Sequence, residues 1–139
     1  MKVLSTYTAQ TSHNPFKVFA RWENPATWST WDPEVKSVVF DSTATLGKRG
    51  KLQPVNGPAM RLSITALRPG KELTNTGTLP GARLEFEHLV EPADGGSLVT
   101  VTVQVHGFLS PVWARILAPS MVQAARSSVV GLLAHLDTA

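Results

Sequence analysis

The closing stretch, Ser110 to Ala139, constrains this chain most, because it reads as one long amphipathic helix arriving after a run of strand-like segments. Ser110 suits the N-cap and Pro111 the first helical position, where a missing N–H costs nothing. Val122, Ala125, Val129, Leu132 and Leu136 recur at three- and four-residue steps, which places them on one apolar stripe. Pro119 interrupts the pattern. A proline inside a helix removes a hydrogen bond and crowds the preceding turn, so a kink or brief break is expected near Ala118-Pro119-Ser120. Ahead of it, Trp113, Ile116 and Leu117 form a front segment that could move as a lid. A sheet wrapped on such a helix leaves a cavity, and the functional question is what fills it.

Upstream, Val3–Gln10 alternates as a half-buried strand. Thr11-Ser12-His13-Asn14-Pro15 stops it, with Ser12 or Asn14 as helix cap. Phe16, Val18, Phe19 and Trp22 then fit a short helix, and Glu23–Trp31, bracketed by Pro25 and Pro33, a second helix or turn. From Val35 the period shortens to two. Candidate strands are Val35–Asp41, Gly50–Pro54, Ala59–Leu67, Lys71–Leu79, Ala82–Glu91 and Leu98–His106, separated by short Gly/Pro turns, which predicts an antiparallel meander. The class is α+β: about seven strands, two short helices after the first, and a long C-terminal helix, in a single domain over 1–139.

A chain of 139 residues with 42% apolar and 17% charged residues can bury a real core and is not of disordered composition. It contains no cysteine, which excludes disulfides and thiolate catalysis. No apolar run is long enough to cross a bilayer and no signal-peptide pattern is visible, so a cytoplasmic location is expected. The net charge of +3 comes from scattered basic residues, apart from the turn-like Lys48-Arg49-Gly50-Lys51, and does not make a nucleic-acid face. His13, His106 and His135 have no metal-ligand spacing, and neither a metal nor a cofactor is expected. GxGxxG, P-loop and GxSxG patterns are absent.

Strand phase sorts the remaining residues. Leu84, Phe86, His88 and Val90 share one face, while Arg83, Glu85, Glu87 and Glu91 share the other. Glu85 and Glu87 therefore read as a solvated edge. Val99, Val101, Val103 and Val105 point inward, as do Met60, Leu62, Ile64 and Ala66, with Arg61 opposite. His88 is the polar exception on an inner face: either a satisfied core histidine or a cavity donor or general base, and the weak candidate for a catalytic residue. Trp22, Trp28, Trp31 and Trp113 either close the end of a core or line a pocket mouth.

Phe16-x-Val18-Phe19, then Asn24-Pro25-x-x-Trp28-x-x-Trp31-Asp32-Pro33-x-Val35, resembles the opening of the SRPBCC superfamily, which includes START domains, Bet v 1-like proteins and the polyketide cyclase/dehydrase and lipid-transport family. Gly95-Gly96-Ser97-Leu98-Val99-Thr100 resembles its glycine turn into the last strand, and Gly107-Phe108-Leu109-Ser110 its step into the final helix. The resemblance implies a helix-grip fold with a hydrophobic cavity between sheet and helix. The leading expectation is binding, transport or sequestration of a small hydrophobic molecule such as a lipid, polyketide or aromatic metabolite. The runner-up is a cyclase/dehydratase using a polar cavity residue. The third reading is a protein-interaction or stress-related module with a vestigial cavity, and a homodimer is left open. Candidate ligand-binding residues are Trp28, Trp31, Met60, Leu62, Ile64, Phe86, His88, Val101, Val103, Trp113, Leu117 and Met121.

Overall fold

The computed structural model describes residues 1–40 and 44–138, so the expected end of the second strand at Asp41 and the terminal Ala139 lie outside the described residues. Seven antiparallel strands form one sheet: β1 (Lys2–Thr11), β2 (Val35–Phe40), β3 (Arg49–Pro54), β4 (Met60–Arg68), β5 (Glu72–Leu79), β6 (Ala82–Ala93) and β7 (Gly96–His106). Their order is β1-β7-β6-β5-β4-β3-β2. β2 to β7 are the expected meander; β1 closes onto the last strand rather than onto its sequence neighbour. The β6–β7 hairpin runs right up to the two-residue turn Asp94-Gly95, where Gly95 takes φ 78°, a conformation glycine adopts without steric cost.

Helix α1 (Pro15–Glu23) starts at Asn14, whose Oδ1 accepts the Lys17 N–H at 2.9 Å, with Pro15 in the first turn. It buries Val18, Phe19 and Trp22 and leaves Phe16 70% exposed. A 3₁₀ turn over Pro25–Thr27 leads into the single-turn α2 (Trp28–Trp31).

The C-terminal stretch is two helices, α3 (Ser110–Met121) and α4 (Ala124–Thr138), bent by 42°. Neither is long and apolar enough by itself to cross a membrane. The break falls at Val122-Gln123, after Pro119 rather than around it. A side chain from the sheet meets it there: Ser5 Oγ donates to the Val122 carbonyl at 3.1 Å and accepts the Ala125 N–H at 3.1 Å, entering the helical ladder where it opens. A β-bulge between Val3 and Ser5 shifts the β1 register just before this residue. Because of the bend, Val122 leaves the expected stripe and is 58% exposed, while Ala125, Val129, Leu132 and Leu136 are buried. The N-cap of α3 is Leu109 rather than Ser110: the Leu109 carbonyl accepts the Val112 and Trp113 N–H groups, which makes Ser110 the first helical residue.

The core has two lobes. Helices α1, α2 and α4 cover Ile64, Leu73, Val90, Val99 and Val101 of the sheet; α3 covers Leu84, Val103 and Val105. Met60 and Phe86 pack against both. A second bulge, between Ile64 and Ala66, pairs Ala66 with Thr74 and Leu67 with Leu73, so Leu67 and not Ala66 continues the inner face.

Candidate functional site

At the seam between the two lobes lies a cavity of about 90 Å³, counted as space open to the centre of a water molecule. That is small for a ligand pocket and suits a compact ligand. The sheet supplies Leu52, Met60, Asn75, Phe86, His88, Val101 and Val103; α2 and the segment after it supply Trp28, Trp31, Asp32, Glu34 and Val35; Pro54 and Asn56 close one side. The broken helix contributes Ser120, Met121, Ala124 and Ser128.

Of the residues singled out in the sequence, Trp28, Trp31, Met60, Phe86, His88, Val101, Val103 and Met121 surround this space. Leu62 and Ile64 do not line it; both are fully packed in the first lobe. Trp113 and Leu117 pack in the second, where Trp113 Nε1 donates to the Pro80 carbonyl at 2.8 Å and ties α3 to the β5–β6 turn. The part of α3 at the cavity is thus its end, Ser120-Met121, and not its front.

His88 stands at the cavity wall with its ring 5.2 Å from that of Trp22. Its Nδ1 lies 2.9 Å from the Leu73 carbonyl oxygen. A carbonyl only accepts, so Nδ1 carries the proton and Nε2 of the neutral ring is an acceptor. Burial lowers its pKa from 6.5 to about 4, against a smaller opposing effect of the Leu73 and Phe86 backbone. A histidine held so low is a weak base near neutral pH.

Six polar residues of the site are not among those singled out, and Asn75, Asp32, Ser128 and Glu34 stand out among them. Asn75, 3% exposed, lines the cavity and makes no side-chain hydrogen bond among the described residues. The pairing Asn75↔Phe86 and Leu73↔His88 puts it diagonal to His88 on the inner face. Asp32 follows the C-terminus of α2, and its Oδ1 accepts the Glu34 N–H at 2.9 Å. Its pKa is raised from 3.8 to about 6, chiefly by burial; the Glu34 N–H opposes this, the Glu34 charge adds to it, and nearby Ser128 opposes it slightly. Ser128 Oγ is buried with no hydrogen-bond partner among the described residues. Glu34 accepts from Ser127 Oγ at 3.3 Å, which fastens this segment to α4. A signal for Ser128 was available, since it falls between Ala125 and Leu132 on the apolar stripe; Asn75 could be found by phasing β5 against β6.

A curved sheet gripping a C-terminal helix across a small aromatic-lined cavity defines a ligand-binding or cyclase-type fold. The sequence matches the model of the family described as polyketide cyclase / dehydrase and lipid transport over residues 4–138. The chain belongs to that family, and so to the SRPBCC superfamily. No curated protein matches the sequence. Among solved structures, a Mesorhizobium loti protein aligns with TM-score 0.72 at 17% identity over 96% of each chain. Ara h 8.0201 aligns with TM-score 0.67 at 15% identity, covering 96% of this chain and 97% of that one. DynU16, a protein from the dynemicin biosynthetic locus, aligns with TM-score 0.69 at 13% identity, covering 96% of this chain and 47% of that one. At these identities the likeness is one of fold.

Proposed function

We propose that the protein binds a small, mainly apolar ligand in the cavity between sheet and broken helix. The observation that carries this is the cavity itself: a packed protein interior leaves few voids larger than a water, yet this space sits against Trp28, Trp31, Met60, Phe86, Val101 and Val103. Binding is driven by removing apolar area from water, at about 25 cal/mol per Å². Native mass spectrometry of freshly purified protein, with calorimetric titration of the neutral probe 2-(1-naphthyl)ethanol, tests the reading. Ala124→Phe, which fills the space from α4, is expected to abolish binding while leaving the circular dichroism spectrum unchanged. Equal binding by both proteins would place the probe elsewhere and refute the reading.

Cyclase-type proton transfer is the second reading, and Asp32 is the observation that favours it. A carboxyl with a pKa of about 6 is better matched to acid–base work near neutrality than His88 at about 4. On an aromatic polyketone that the protein turns over, Asp32→Asn is then the variant expected to lower the rate by roughly 10²–10⁴.

A further inference from the structure

The polar groups of the cavity are biased in charge. The protein carries 13 Lys and Arg against 10 Asp and Glu, yet among the described residues no Lys or Arg lines this space, whereas Asp32 and Glu34 both do. Neither carboxylate has an ion-pair partner among the described residues. Burial disfavours the charged form of Asp32, a cost that an opposite charge would reduce.

Several donors of the wall are already engaged, which leaves the Asn75 carboxamide and the Ser128 hydroxyl open. The indole N–H of Trp28 donates to the Trp22 carbonyl at 3.0 Å and that of Trp31 to Thr27 Oγ1 at 3.2 Å, so neither is free for the cavity. Ser120 Oγ donates to the Leu117 carbonyl at 3.1 Å. His88 donates through Nδ1 to Leu73 and keeps only the acceptor Nε2. Independently of the carboxylates, the buried Ser128 hydroxyl at the cavity wall has no hydrogen-bond partner among the described residues, and the Asn75 carboxamide beside it makes no side-chain hydrogen bond there, so both can bond a polar group of the occupant. The two carboxylates favour a ligand that brings N–H donors and positive charge. Aromatic faces favour such a charge too.

We propose that the cavity takes a cationic amine, with its protonated nitrogen against Asp32 and Glu34 and its apolar body against Trp28, Trp31 and Phe86. This rests on the cavity being the ligand site and adds the class of ligand. Carboxylates, fatty acids included, are disfavoured by the same two charges.

The test uses three probes of one ring system near neutral pH, titrated calorimetrically into the intact protein: 2-(1-naphthyl)ethylamine, which is protonated, 2-(1-naphthyl)ethanol, which is neutral, and 1-naphthylacetate, an anion. The amine is expected to bind at least about tenfold tighter than the alcohol, and the acetate weaker than either. In the double variant Asp32→Asn, Glu34→Gln the ratio of amine to alcohol affinity is expected to fall to about one. An alcohol that binds as tightly as the amine, or an amine advantage that survives the double variant, overturns the inference and leaves the cavity standing as a ligand site. The order of the three probes on the wild-type protein decides the matter even if the double variant does not fold. Failure of all three to bind refutes the cavity reading and this inference with it.

Discussion

Replacing Ser5 with alanine tests the most unusual joint in the fold. Its hydroxyl is the bonding partner of both backbone groups freed where α3 becomes α4: the Val122 carbonyl and the Ala125 N–H. The two do not count equally. Val122 is 58% exposed, so its carbonyl can find water; Ala125 is fully buried, so its N–H cannot. An orphaned buried donor costs about 1–3 kcal/mol, while the re-solvated carbonyl adds little, so Ser5→Ala is expected to cost about 2 kcal/mol. For a chain of this size that lowers the melting temperature by roughly 6–10 °C. Urea unfolding is the assay, read as a lower midpoint with an unchanged m-value. Thr6→Ala is the control: its hydroxyl meets that of Thr102 at 3.0 Å on the exposed face, and its loss is expected to cost no more than about 0.5 kcal/mol. Equal stability of the two variants would show that the helix break does not depend on Ser5.

Two buried titrations predict opposite pH dependences. His88, with its pKa lowered to about 4, binds its proton more readily when unfolded, so its contribution to stability is lost as pH falls from 6.5 to 4, by about 3 kcal/mol in all. Asp32, raised from 3.8 to about 6, binds its proton more readily when folded, so stability is gained as pH falls through 6 toward 3.8. In urea titrations between pH 4 and 6 the two offset each other in the wild type; His88→Phe is expected to leave the Asp32 slope and Asp32→Asn the His88 slope, and parallel curves for the two variants would contradict both assignments. Gly131→Ala places a Cβ against the Trp31 carbonyl oxygen, where α4 meets α2. It is expected to destabilise by about 1–3 kcal/mol and to weaken probe binding by moving the Trp31–Asp32 wall; an unchanged urea midpoint would contradict the close packing.

Much of this architecture is legible in the residues because local patterns and tertiary packing agree. The Asn14-Pro15 cap, the hairpin turns and the alternation in β6 and β7 each specify their element without outside help. What escaped was set by contacts between distant segments. The Val122-Gln123 break lies within a turn of Pro119, close to where the proline places it, but the Ser5 hydroxyl that meets it there comes from some 117 residues away in sequence. The bulge before Ala66 reversed the inner phase of β4 with no glycine to mark it. Leu62 and Ile64 do share the inner face, but alternation does not tell which inner residues border a void and which are packed solid. Asp32 reads locally as turn punctuation. Its role emerges only when α4 packs beside it and removes its water.

The pairing of β1 with β7 has a consequence for the time course of folding. β2 to β7 can assemble hairpin by hairpin with small loops, but β1 has to close a loop running from Thr11 to Ser97. During synthesis β1 therefore waits through the whole meander, and until it docks the β7 edge stands open and the backbone groups of Val122 and Ala125 lack their hydroxyl. Joining of β1 is thus expected to come late, closing the sheet and bringing Ser5 to the bend of the helix over the cavity.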